Sequence, residues 1–121
     1  MREGQSPTTA GAAATYGATI NIFTGLFREV EDLAKKKPDA AMSKFKVAQI
    51  NRLLNDVRGF LKNEPEAKYL DLLNDEALPQ IADAVVVMAQ YEGALMGFRE
   101  RHYGYDREYG RKRWFVDQQS D

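Results

Sequence analysis

The sequence predicts an all-α fold: a small bundle of four to five helices around a long C-terminal helix. Three observations lead there. Apolar residues recur at helical spacing in each long segment, prolines stand at or between the ends of those segments, and no stretch of any length alternates as a strand does. At 121 residues the chain is expected to form one domain with one modest core. The expected organisation is a flexible N-terminal arm over residues 1–11, a helical bundle over 12–103, and a basic, aromatic tail over 104–121.

The long helix is expected from Leu78 to Tyr103. Pro79 suits a first helical turn, where its missing N–H costs nothing. Ile81, Val85, Met88, Leu95 and Phe98 mark one face, and Val86, Val87, Tyr91 and Met96 fill the others. A helix apolar nearly all round calls for burial on more than one face, inside the bundle or against a partner. Gly93 and Gly97, four apart, would let another helix come close. Asp83, Gln90 and Glu92 interrupt the run, so it lacks the roughly 18 uninterrupted apolar residues of a membrane span.

The arm carries Ser6-Pro7-Thr8-Thr9 and is polar and small. The first helix is expected to begin between Ala12 and Thr19 and to run to about Lys36. Ile20, Phe23, Phe27, Val30 and Ala34 share its apolar face, beside Leu26 and Leu33. Lys35, Lys36 and Lys37 place positive charge at its C-terminal end, and Pro38 stops it. Ser43 can cap a second helix from about Lys44 to Asn63, with Val47, Ile50, Leu54, Val57 and Leu61 as its stripe. A short helix is expected from Pro65 to about Leu73. Gly104 and Gly110 leave the tail without a defined element.

Net charge is only −1, but its placement is uneven. Leu33–Lys62 holds eight basic and two acidic residues, Glu64–Glu92 one basic and seven acidic, and Arg99–Trp114 six basic and three acidic. Two basic segments around an acidic one predict a basic face, the footprint of a polyanion partner. A solvated surface without a partner has the same composition. There is no cysteine, so no disulfide or thiolate chemistry, and a single histidine, His102, which argues against a zinc site and is expected to be a helix-terminal or surface residue. A di-iron bundle would need Glu-x-x-His motifs, and Arg99 stands three residues before His102. No metal, no cofactor and no catalytic residue is expected. No signal peptide is recognisable, and the expected location is cytoplasmic.

On the second helix, Lys44, Asn51, Asn55, Arg58 and Lys62 lie along one flank, with Arg52 to the solvent side. Such a flank suits contact with a nucleic-acid backbone, as does an ordinary amphipathic helix. The candidate RNA-binding residues are Lys44, Arg52, Arg58 and Lys62, joined by Arg99 and Arg101 at the end of the long helix. In the tail, arginines interleaved with Tyr105, Tyr109 and Trp114 can contact phosphates and stack on bases. The aromatics are expected to pack on the bundle instead.

The run from Phe45 to Arg58 resembles the signature of the small, all-helical subunit of type III-A CRISPR effector complexes. Gln49, Ile50, Arg52, Asn55, Asp56, Val57 and Arg58 match in order. Leu72-Leu73 and the run from Leu78 to Ala84 resemble the family's Leu-rich short helix and Pro-containing helix start. The resemblance covers about Phe45 to Ala89; Ala48 stands where the family has serine, and the tail after Gly104 has no counterpart. It implies a non-catalytic subunit that stacks with copies of itself in the filament. It also implies contacts with the crRNA–target RNA backbone and with other CRISPR effector subunits, nuclease and cyclase activity belonging to other chains. The alternative is a homo-oligomeric helical scaffold or adaptor that binds no nucleic acid.

Overall fold

In the computed structural model, which describes residues 6–117, Thr9 opens the first helix, α1 (Ala10–Lys36). Its hydroxyl accepts a hydrogen bond from the N–H of Ala12 at 2.9 Å, so the helix starts earlier than its apolar stripe suggests. Phe23, Phe27 and Val30 are buried as expected, together with Tyr16 and Thr19. α1 ends at Lys36, where the N–H of Lys37 still reaches the carbonyl of Leu33. Ser43 then caps α2 (Lys44–Leu61), accepting from the N–H of Lys46. Val47, Ile50, Leu53, Leu54, Val57 and Leu61 are buried on one face. α2 stops two residues short of the expected Asn63.

The expected short helix is a 3-10 turn, Pro65–Tyr69, and does not reach Leu73. The chain leaves it extended, which buries Leu70 and Leu73 and brings the backbone of Leu73 to the side chain of Asn51. The long helix, α3, spans Ile81–His102. Pro79 therefore lies ahead of the helix, and its carbonyl accepts from the N–H of Met42. The N-cap, Gln80, makes no side-chain capping bond. The N–H groups of Ile81 and Ala82 donate to the carbonyls of Ala40 and Pro38, so the α1–α2 connector caps α3.

The bundle is broadly helical but has three α-helices among the described residues, not four or five. α1 packs along both α2 and α3, while α2 and α3 touch each other less. Ala84, Met88, Tyr91 and Phe98 of α3 are fully buried. The opposite side of that helix is open: Val86 is 60% and Met96 58% exposed. Within the chain two neighbours cover one side of α3, so of the two expected settings, inside the bundle or against a partner, the bundle by itself does not bury the helix on every face. α3 is long and apolar enough to cross a membrane by length and mean hydropathy, a property that buried core helices share. Nothing lies within 4 Å of where a Cβ would stand on Gly93. At Gly97 the close neighbour is the Glu66 carboxylate, with which an added methyl would collide, and not another helix.

The tail is not structureless. β1 (Tyr103–Asp106) and β2 (Arg111–Trp114) form an antiparallel hairpin, Tyr103 facing Trp114 and Asp106 facing Arg111. Gly110 closes the turn at φ 65°, a left-handed conformation that glycine adopts without strain. Trp114 packs on Tyr16 and Phe98, and Phe115 is buried. The expected arm is also engaged from Ser6 onward. Thr8 pairs in parallel with Val116 through two backbone bonds of 2.8 Å, to Phe115 and from Asp117. Residues 1–5 of the arm and 118–121 of the tail lie outside the described residues.

Tyr91 gives the core a measurable pH dependence. Its ring is fully buried and its hydroxyl donates to the carbonyl of Asp71 at 2.8 Å. Burial, opposed by Arg58 and reinforced by Asp71, pushes its pKa up to about 12. A hydroxyl whose pKa is higher in the folded than in the unfolded chain stabilises the fold fully below pH ~10, the unfolded value, and that contribution is lost as pH rises toward the folded one. The expected result is a loss of roughly 3 kcal/mol between those limits. Urea unfolding across this range checks it: the loss shrinks in Tyr91→Phe, and an equal loss in both proteins would assign it to other groups, Tyr16 included.

Candidate nucleic-acid interface

The cations expected on α2 are all exposed, but they do not share one face. Arg52 borders a groove of about 420 Å³ between α1 and α2, with Ile22, Leu26, Glu29 and Asp56. Lys62 borders a wider opening of about 960 Å³, with Asp56, Phe60, Glu64 and Asp117. Carboxylates match the cations along this seam, which leaves little positive field to draw phosphate. Arg58 is on the other flank, close enough to Tyr91 to act on its hydroxyl electrostatically. Asn51, expected beside it as a polar contact, is taken: its amide donates to the Leu73 carbonyl and its oxygen accepts from the Leu73 N–H. Lys44 stands at the start of the helix, away from both grooves.

Arg101 is also committed. Its guanidinium donates to Glu64 at 3.0 Å and to both oxygens of Glu66 at 3.0 and 2.6 Å. Burial works to raise the Glu66 pKa, and the Arg101 hydrogen bond, a backbone hydrogen bond and the Arg101 charge together outweigh it, holding the carboxyl below its ordinary value. The hydrogen bond to Glu66 raises the pKa of Arg101. A phosphate would have to displace two charge-assisted pairs, so Arg101 is a clamp between α3 and the 3-10 turn and not a backbone contact. His102, expected as a helix-terminal or surface residue, is terminal but buried. Its Nδ1 lies 2.7 Å from the Ser6 carbonyl, and its Nε2 3.1 and 3.2 Å from the Glu64 carboxylate oxygens.

Of the expected α3 cations, Arg99 remains exposed, with its guanidinium 4.6 Å above the Tyr103 ring. That contact joins it to the hairpin. Alternation puts Tyr103, Tyr105, Lys112 and Trp114 on one hairpin face, and Asp106, Arg111 and Arg113 on the other. The inner end of the first face is anchored: the Tyr103 and Trp114 rings lie 5.1 Å apart over the core. The outer end is open, and Tyr105 is 54% exposed opposite Lys112. On the second face Asp106 accepts from Arg113 at 2.8 Å and from the N–H of Glu108 at 2.9 Å. Arg113 in turn covers the Tyr109 ring at 4.1 Å.

Arg99, Arg107, Arg111 and Lys112 are exposed at this end of the molecule, interspersed with Glu100 and Glu108. Here the aromatic expectation divides: Trp114 packs inward, whereas Tyr105 and Tyr109 face solvent. For these two tyrosines the expected packing on the bundle fails, and they stay open as the stacking residues that the sequence also offered. The tyrosines flanking Gly104 and the glycine before Arg111 were the available signals of a hairpin. Among the described residues, no three His, Asp or Glu side chains stand together as a metal site.

The fold and this surface define a small helical protein with a basic, aromatic hairpin at the end of its long helix. Compared with known proteins, the chain matches no family model, no curated protein and no solved structure.

Proposed function

We propose that this chain is a non-catalytic RNA-binding subunit of a larger ribonucleoprotein. The observation that carries the proposal is the gathering of Arg99, Arg107, Arg111 and Lys112 around two exposed tyrosines on a braced hairpin. The finer reading is the small subunit of a type III-A CRISPR effector complex, acting in antiviral defence in the cytoplasm. Its support is the Phe45–Arg58 resemblance together with the placement of that run. Ile50 and Val57 are core, while Gln49, Arg52, Asn55, Asp56 and Arg58 are exposed and open to contact. In that reading the partners are crRNA, target RNA, other effector subunits and copies of the same chain. Purifying the tagged chain from its native host and sequencing the bound RNA tests it. CRISPR guide RNAs are expected, and their absence from an intact complex would overturn the assignment.

The scaffold reading draws on a different observation. Val86 and Met96 line up with Ala82, Ala89 and Gly93 on the open side of α3, and Ile22 and Phe45 are exposed elsewhere. Such apolar exposure suits contact between protein chains. Salt-dependent RNA binding separates the two readings. Arg111→Ala combined with Lys112→Ala is expected to flatten the dependence of log affinity on log salt by about 1.4 for single-stranded RNA, since each phosphate contact contributes about 0.7. Arg52→Glu combined with Arg58→Glu is expected to weaken binding less, the two being on opposite flanks of α2. An unchanged salt slope in the hairpin variant would move the RNA face back to α2.

A further inference from the structure

We infer that the hairpin is a stacking platform for unpaired RNA bases, so that it takes single-stranded segments in preference to duplex. This rests on the RNA-binding reading and adds to it the form of RNA recognised. Phosphate contacts alone do not select for unpaired bases, because cations meet the backbone of either form. Exposed rings do, because the bases of a duplex are already stacked on one another and its deep major groove admits no side chain.

The geometry supplies both parts. Tyr105 is 54% exposed and Tyr109 53%, and each stands beside a cation: Lys112 directly across the strands from Tyr105, Arg113 on one face of Tyr109. Arg113 at 4.1 Å and Arg111 at 5.9 Å both stand over the Tyr109 ring, so a base that reaches this ring meets two guanidinium groups beside it. Directly opposed residues of an antiparallel pair lie about 5 Å apart, so a base on Tyr105 leaves its own phosphate within reach of the Lys112 ammonium. The platform is held in advance. Four cross-strand pairs, the Asp106 bonds to Arg113 and Glu108, and the burial of Trp114 against Tyr16 and Phe98 fix the hairpin to α3. Tyrosine loses little rotamer freedom on binding, which favours a ring already in place.

The test is fluorescence anisotropy of the full chain with a labelled oligouridine and with the same strand annealed to oligoadenine, at low salt. Tyr105→Ala combined with Tyr109→Ala is expected to lose about tenfold or more in single-strand affinity and to keep duplex affinity. Tyr105→Phe combined with Tyr109→Phe keeps both, because stacking needs the ring and not the hydroxyl. Both variants keep the wild-type melting temperature, their side chains being at the surface. Wild-type single-strand affinity in the alanine pair, or an equal loss on both RNAs, would overturn the platform and leave the RNA-binding reading standing. A wild-type chain that binds neither RNA would overturn both.

Discussion

Replacing Met88 with aspartate unfolds the protein. Met88 is fully buried on α3 among side chains of the main core. Aspartate there either stays charged without a partner or takes up a proton, and it also removes a long side chain from a close-packed site. Losses of this kind reach about 4–5 kcal/mol, comparable with the whole stability of a small domain. Loss of the helical circular dichroism signal at ambient temperature is the expected result. Met88→Ala isolates the packing part: it stays folded and loses about 2–5 kcal/mol. An aspartate variant with the wild-type melting temperature would show that the Met88 site opens to water.

The second large effect is expected from Asn51→Ala. The Asn51 side chain satisfies both backbone groups of Leu73, at 2.8 and 2.9 Å, as a neighbouring strand would. Alanine leaves a donor and an acceptor unmade in a half-buried place, at about 1–3 kcal/mol each. The extended stretch that places Leu70 and Leu73 in the core also loses its tie to α2. Urea denaturation is expected to show a lower midpoint at unchanged slope, worth about 2–4 kcal/mol in total. A shift below about 0.5 kcal/mol, the range of neutral surface changes, would mean that water replaces the amide.

These residues show what the sequence reveals and what it withholds. The α2 stripe was legible because Val47, Ile50, Leu54, Val57 and Leu61 bury at their helical spacing. The buried face of α3 was legible for the same reason, whereas its open side was not: periodicity reports an apolar residue, not whether a neighbour exists to cover it. The hairpin escaped notice because its strands are four residues long, charged, and joined by a four-residue turn in place of a two-residue signature. Arg101 resembled a free cation on its own helix. Its partners, Glu64 and Glu66, lie far earlier in the chain, and only the packing of the 3-10 turn onto Gly97 brings them together. His102 reads as a surface residue until Ser6 and Glu64 close around it. Asn51 illustrates the limit most plainly, since amide spacing on a helix flank is the same for a ligand contact and for an internal bond.

The pairing of Thr8 with Val116 also sets an order for synthesis. The ribosome makes the Ser6–Thr9 segment early, yet its seat consists of Arg101, His102, Phe115 and Asp117, which are made late. While the chain grows, α1 and α2 can already pair, but the segment before α1 has nothing to lie against. It therefore docks only after the hairpin has emerged, and joining the two ends of so long a loop is entropically the slowest closure to nucleate. A nascent chain stalled within β2 would hold a paired α1–α2 unit with its leading segment still undocked.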